Sequence, residues 1–129
     1  MPIVRVEDPV HRDADTQHAI IDTIYNCLKS VFKVSDEELQ ARYVCYDKNA
    51  FRSPGDRHEF IHIEITLFKG RKLETKRQLY ELISNRIAAQ LGISAHAVLI
   101  LLVEQEPENW GMRGGVPASE IDFGYAISI

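Results

Sequence analysis

Cysteine is scarce in this chain: Cys27 and Cys45 are the only two. Two thiols, one in a helical pattern and one in a strand pattern, do not build a disulfide framework and are read as reduced, packed side chains. Long apolar runs are missing too. No stretch approaches the ~20 residues of a membrane span, and the opening MPIVRVEDP carries charges where a secretory leader needs an apolar core. A cytoplasmic location is the default expectation. Positive charge is in deficit, with 15 Lys and Arg against 19 Asp and Glu and a formal net charge of −4. No global field therefore draws in nucleic acid or an anionic membrane, and any anion site must be a local cluster of cations. There is no P-loop, dinucleotide fingerprint or Ser/His/Asp arrangement. His58 and His62 lie four apart and His62 shares a strand face with Glu64, but two ligands without a third do not make a metal site.

What the chain does have is a repeat. Shifted by 59 positions, Val4 and Val6 fall on Ile63 and Ile65, Thr16 on Thr75, Ile20 on Leu79, Ile24 on Ile83, Leu28 on Ile87, Phe32 on Leu91 and Ser35 on Ser94. The copies share apolar rhythm more than identity, as when a supersecondary unit is duplicated and only its buried face is kept. One difference stands out. The first copy opens at Met1-Pro2 and the second in mid-chain at Ile61, so only the first can offer a terminal amine.

Each copy reads as β-α-β. Ile3–Val6 opens a strand ended by Pro9, Asp13, Asp15 and Thr16 offer N-cap chemistry, and Ile20, Ile21, Ile24, Leu28, Val31 and Phe32 follow helical spacing. Ser35-x-x-Glu38 reads as a capping box, and Arg42–Tyr46 as a second strand. Residues 48–58 are the linker. The second copy has a strand from Phe60 to Phe68, a helix over 72–91 closed by Gly92, and an aliphatic strand from Val98 to Val103. One domain over 1–129 is expected, with repeats at about 2–47 and 60–105 and a hairpin and tail at 107–129. Parallel pairing within each unit requires crossover helices, giving an α/β (α+β) fold: a four-stranded mixed sheet with two helices on one face. The other face is expected to stay apolar and to be covered by a symmetric oligomer, with a tail strand at 125–129 adding to a neighbour.

Three places could carry chemistry. Methionine before proline is commonly trimmed, which leaves Pro2 as a secondary amine; burial and nearby cations would lower its pKa toward neutrality. Phe68-Lys69-Gly70-Arg71 sits where a strong strand meets a helix, with Lys69 and Arg71 alternating to one side. That junction suits a carboxylate, which Arg71 can bind in bidentate fashion. In the segment 108–115, Trp110 and Met112 could wall a pocket and Arg113 supply another cation.

The Met-Pro start, the tandem β-α-β units, the G-R-x-x-E-x-K-R-x-L-Y helix opening (Gly70, Arg71, Glu74, Lys76, Arg77, Leu79, Tyr80) and the E-N-W-G segment at 108–111 resemble the tautomerase superfamily. The branch most similar is the malonate semialdehyde decarboxylase-like one. The resemblance implies a homotrimer without cofactor or metal, acting on a small carboxylate-bearing substrate. Pro2, Lys69 and Arg71 would be its catalytic residues. Lys69, Arg71, Trp110, Met112 and Arg113 would bind substrate, with Lys69 standing where the decarboxylase pattern has arginine and Met112 where an aromatic is usual. Ala41 occupies the position of that pattern's aspartate, so water-dependent chemistry loses its partner.

Three functions follow. The leading one is a cofactor-independent tautomerase for a 2-oxo or 2-hydroxydienoate acid, with neutral Pro2 as general base. The second is a decarboxylase or hydratase of the malonate-semialdehyde type. The third is a non-catalytic trimeric module that binds a small acid or a protein. Arg42, Arg57 or a neighbouring subunit's tail could complete the pocket.

Overall fold

Alternation along the strands decides which face is buried. In a computed structural model describing residues 2–129, Val4, Val6, Ile61, Ile63, Ile65 and Leu67 all point to one side of a sheet and are removed from solvent. Burying an aliphatic side chain of this size contributes about 1.5–3 kcal/mol. The strands are β1 (Ile3–Asp8), β2 (Gln40–Cys45), β3 (Ile61–Phe68) and β4 (Val98–Gln105), in the order β2-β1-β3-β4. The outer pairs are parallel and the central β1–β3 pair antiparallel. Two helices, α1 (Ala14–Phe32) and α2 (Leu73–Leu91), connect the parallel pairs and pack on that apolar face through Ile20, Ile24, Leu28, Phe32, Leu79, Ile83 and Ile87. The expected four-stranded mixed sheet with two helices on one face is the fold observed. Among the described residues no helix is long and apolar enough to cross a membrane.

The 59-residue shift holds at the level of register. Ile3 stands beside Gln40 in one parallel pair and His62 beside Leu99 in the other, and each helix begins and ends on equivalent residues. The helix ends differ in chemistry. Asp13 caps α1 by accepting from the Thr16 N–H at 2.8 Å, whereas α2 has Lys72 in that place and no side-chain cap. Its first N–H groups are therefore left for another acceptor.

The sheet's second face is not uniformly apolar. Val98, Ile100 and Leu102 pack toward the core, while Leu99 (50% exposed) and Leu101 (47%) face outward. The centre of that face is polar: Glu7 accepts from the Tyr46 hydroxyl, and Arg5 (3.7 Å) and His62 (3.6 Å) lie beside it.

The C-terminal segment is a short hairpin followed by an irregular tail. Gly111–Met112 and Val116–Pro117 form a short hairpin, β5–β6, whose turn residues Arg113, Gly114 and Gly115 all have positive φ. Residues 121–129 form no strand and turn back over their own chain. The Gly124 N–H donates to the Asp122 carboxylate at 2.9 Å, and Gly124 takes a φ of 76°, which turns the chain just before residues 125–129. Phe123 stacks on Phe68 at 5.3 Å, Tyr125 packs against the core, and the Ile129 carbonyl accepts from the Thr75 hydroxyl in the first turn of α2.

Candidate active site

Topology brings the sequence candidates to one end of the sheet. Antiparallel pairing of β1 with β3 sets the start of β1 against the end of β3, and the parallel partners add the start of β2 and the end of β4. Pro2 is buried there, its carbonyl accepting from the Gln40 N–H at 3.4 Å. One step beyond the Ile3–Thr66 pair, Pro2 reaches the level of Leu67, four residues before Arg71. Met1 lies outside the described residues.

Arg71 is only 6% exposed. One terminal nitrogen donates to the Phe68 carbonyl at 3.0 Å and the guanidinium stacks over the Phe32 ring at 4.8 Å. Its Nε and Nη2 are buried with no hydrogen-bond partner among the described residues. Unmet donors on a buried cation are costly, and an anion is what satisfies them. Burial pulls the guanidinium below its usual pKa range, while Tyr125 and Glu104 act in the opposite direction.

Lys69 does not lie with it. The strand ends at Phe68, and Gly70, at φ 141°, breaks the alternation that would have set Lys69 and Arg71 on one side. Lys69 is 65% exposed in its side chain and pairs with Glu106 at 3.3 Å. An ion pair this exposed is weak and readily exchanged.

The wall of the site is aromatic. Trp110 meets Phe68 edge-on at 5.2 Å, its indole N–H is buried without a partner, and Phe123 and Tyr125 extend the cluster. Met112 lies half-buried in β5. Arg113 is committed: it bonds Glu38 at 2.8 Å and lies over the Phe123 ring at 5.3 Å. Two participants were missed in the sequence. Glu38 is 9% exposed and ends the turn before β2, where the capping box gave it a local role. The reciprocal box does not form: Ser35 caps by accepting from the Glu37 N–H at 3.3 Å, and the Glu38 carboxylate turns to Arg113. Tyr125, in the tail, is felt electrostatically by both Arg71 and Glu38, and burial raises its pKa above the usual value. Ala41 stands beside Val4 and packs against the core, so nothing replaces an acid at that position.

Over 57 residues the chain is 37% identical to the probable tautomerase YusQ of Bacillus subtilis (strain 168), a match covering 44% of this chain and 45% of that relative. The match thus spans less than half of that relative's length. Among solved structures, a fused 4-OT wild-type symmetric trimer superposes with a TM-score of 0.84 at 18% identity, covering 92% of this chain and 99% of the other. The FG41 malonate semialdehyde decarboxylase inhibited by 3-bromopropiolate gives 0.77 at 19%, covering 89% and 92%. The macrophage migration inhibitory factor of Toxoplasma gondii gives 0.75 at 13%, covering 87% and 96%. At such identities these three likenesses are of fold. Residues 37–113, from the turn carrying Glu38 to the hairpin carrying Arg113, match the family described as tautomerase enzyme, and the chain belongs to that family.

Proposed function

We propose that this tautomerase-family chain is a cofactor-independent isomerase of small 2-oxo or 2-hydroxydienoate acids, residues 1–129 acting as one domain. With Met1 removed, the Pro2 amine is the general base. An α-amino group titrates near ~8 in water, and moving a secondary amine down by two units requires about 2.7 kcal/mol of destabilised ammonium. Burial of Pro2 and the nearby Arg71 charge act in that direction. The neutral amine takes a proton from the carbon next to the carbonyl and returns it elsewhere on the enolate. Arg71 holds the substrate carboxylate with its two unmet nitrogens, supported by the uncapped start of α2. Lys69 leaves Glu106 to join the clamp, and Trp110 and Met112 wall the carbon chain. Arg113 contributes by holding Glu38 and Phe123 in place.

The observation that carries this reading is the Arg71 guanidinium, buried with two nitrogens lacking partners at the sheet end where Pro2 lies. A homotrimer fits the outward Leu99 and Leu101 side chains, which need cover, and the fused 4-OT structures, described as trimers, are built on the same fold. One observation favours decarboxylation: Glu38 is a buried carboxylate at the same end, placed to hold water although Ala41 cannot.

Phenylenolpyruvate ketonisation measured beside malonate semialdehyde turnover separates the two. Pro2→Ala is expected to lower the favoured activity by ~10²–10⁴-fold. Unchanged turnover in that variant would overturn Pro2 as the base, and no turnover of either acid by the wild type would favour a non-catalytic binding module.

A further inference from the structure

The duplication implies a second end. Under the 59-residue shift Arg71 corresponds to Arg12, Leu67 to Asp8 and Pro2 to Ile61, at the opposite end of the sheet. No terminal amine is possible there. The equivalent cation is also occupied: the Arg12 Nε bonds the fully buried Asp8 at 3.1 Å, and Glu59 lies 3.9 Å from its Nη2. Asp8 further accepts from the Val10 N–H at 2.9 Å and from the Tyr43 hydroxyl. The first end has a guanidinium lacking an anion. The second has supplied the anion from within.

The connection between the repeats then builds something the other end does not have. Residues 48–58 fold back over Pro9 and Val10 and line an open surface basin of about 530 Å³. Lys48, Arg52, Arg57 and His58 line it, with Asn49, Ser53 and the ring of Phe51, against a single carboxylate, Asp56. Arg57 is fixed by donating to the His96 carbonyl at 2.6 Å, and it and His58 also line an adjoining cavity of about 520 Å³. Three permanent cations round one basin, on a chain of net charge −4, make a local potential opposite in sign to the whole molecule. Its volume suits a metabolite-sized ligand.

We propose that this basin is a second, non-catalytic binding site for a small organic anion with two or more negative charges, a polycarboxylate or a phosphate ester. Lys48 and Arg52 are its principal contacts and Phe51 gives it an apolar wall. The site lies at the end of the sheet away from Pro2 and Arg71, so its occupancy and the proton-transfer reading succeed or fail separately.

Calorimetric titration at constant ionic strength, with citrate, inorganic phosphate and acetate as probes, tests it. Citrate or phosphate should saturate at one site per chain and bind at least tenfold tighter than acetate. The Lys48→Ala/Arg52→Ala variant should weaken this at least tenfold while keeping wild-type turnover, and Arg71→Ala should leave it within twofold. Asp56→Asn, which removes the opposing charge, should tighten it. Citrate locating the site without phosphate would identify a polycarboxylate ligand, and the reverse a phosphate ester. No saturable binding of either polyanion, or binding lost in Arg71→Ala and kept in Lys48→Ala/Arg52→Ala, would overturn the proposal.

Discussion

Arg5 lies directly opposite Glu64 in the antiparallel centre of the sheet, and Glu64 is its own counterpart in the second repeat. A residue that pairs with its own repeat equivalent marks the pseudo-twofold axis. The Ile3–Thr66 and Glu7–His62 pairs exchange across it. The two sheet ends are therefore equivalent in backbone and different in chemistry. One holds Pro2 with an unmet Arg71; the other holds Arg12 already paired with Asp8.

The two cations of the turn should behave unequally. Arg71→Ala is expected to reduce kcat/KM by ~10²–10³-fold, the usual loss on removing a preorganised charge contact. Lys69→Ala should cost less, about fivefold, because its contact with the substrate carboxylate is made from an exposed, solvent-screened position while that of Arg71 is buried. Steady-state kinetics on a 2-oxo acid enol reads both. Equal losses would return Lys69 to the equal role that strand alternation gave it.

Alkaline pH should destabilise the Asp8 network. Burial, and then the bond to Asp8, push the Tyr43 hydroxyl well above its ordinary pKa. A group whose folded pKa is raised gives stability that is complete below the unfolded value of about 10 and declines as pH rises beyond it. Urea unfolding from pH 8 to 11 should show a steeper loss in the wild type than in Tyr43→Phe. Asp8→Ala, which leaves the largely buried Arg12 only the more distant Glu59, should cost about 3 kcal/mol at neutral pH.

Gly70 cannot accept a side chain. Its φ is 141°, and a Cβ there would stand 2.8 Å from the Ile127 methyl in the tail. Gly70→Ala should destabilise the protein by about 1–3 kcal/mol and loosen the tail over Arg71. Thermal melts, with protease sensitivity of residues 121–129, check both effects. Ile127→Ala in the same background should relieve the clash and leave only the backbone term.

Arg113→Ala should act on stability more than on substrate affinity. It strips the buried Glu38 of its partner at a cost of about 1 kcal/mol, reduced from that of a charged hydrogen bond because Arg113 is itself exposed. Denaturant titration set beside KM separates the two effects. A large rise in KM without loss of stability would place Arg113 on the substrate.

Most of the fold was readable because it is written twice. Apolar positions 59 apart give both helices and both parallel pairs, and Asp13 and Gly92 mark helix ends by local chemistry. What escaped depends on the chain turning back on itself. Lys69 and Arg71 look alike until Gly70 ends the alternation, and Glu38 looks like a capping residue until Arg113, 75 positions on, takes its carboxylate. The tail reads as a strand for a neighbouring subunit, and the contacts it makes within its own chain, Phe123 on Phe68 and Ile129 on Thr75, leave no mark in its sequence. The cations at 48, 52 and 57 look like part of a solvated linker, and only the folding of that linker over Pro9 gathers them.

The central claim is an uncharged secondary amine at Pro2, and covalent mapping with an amine-directed halo-acid tests it most directly. Intact-mass and peptide analysis should find a chain lacking Met1, labelled on the Pro2 nitrogen, with inactivation rising through a protonation midpoint clearly below ~8. Label on a lysine or cysteine, a chain that keeps Met1 yet turns over fully, or a midpoint at or above that of a free amine would contradict it.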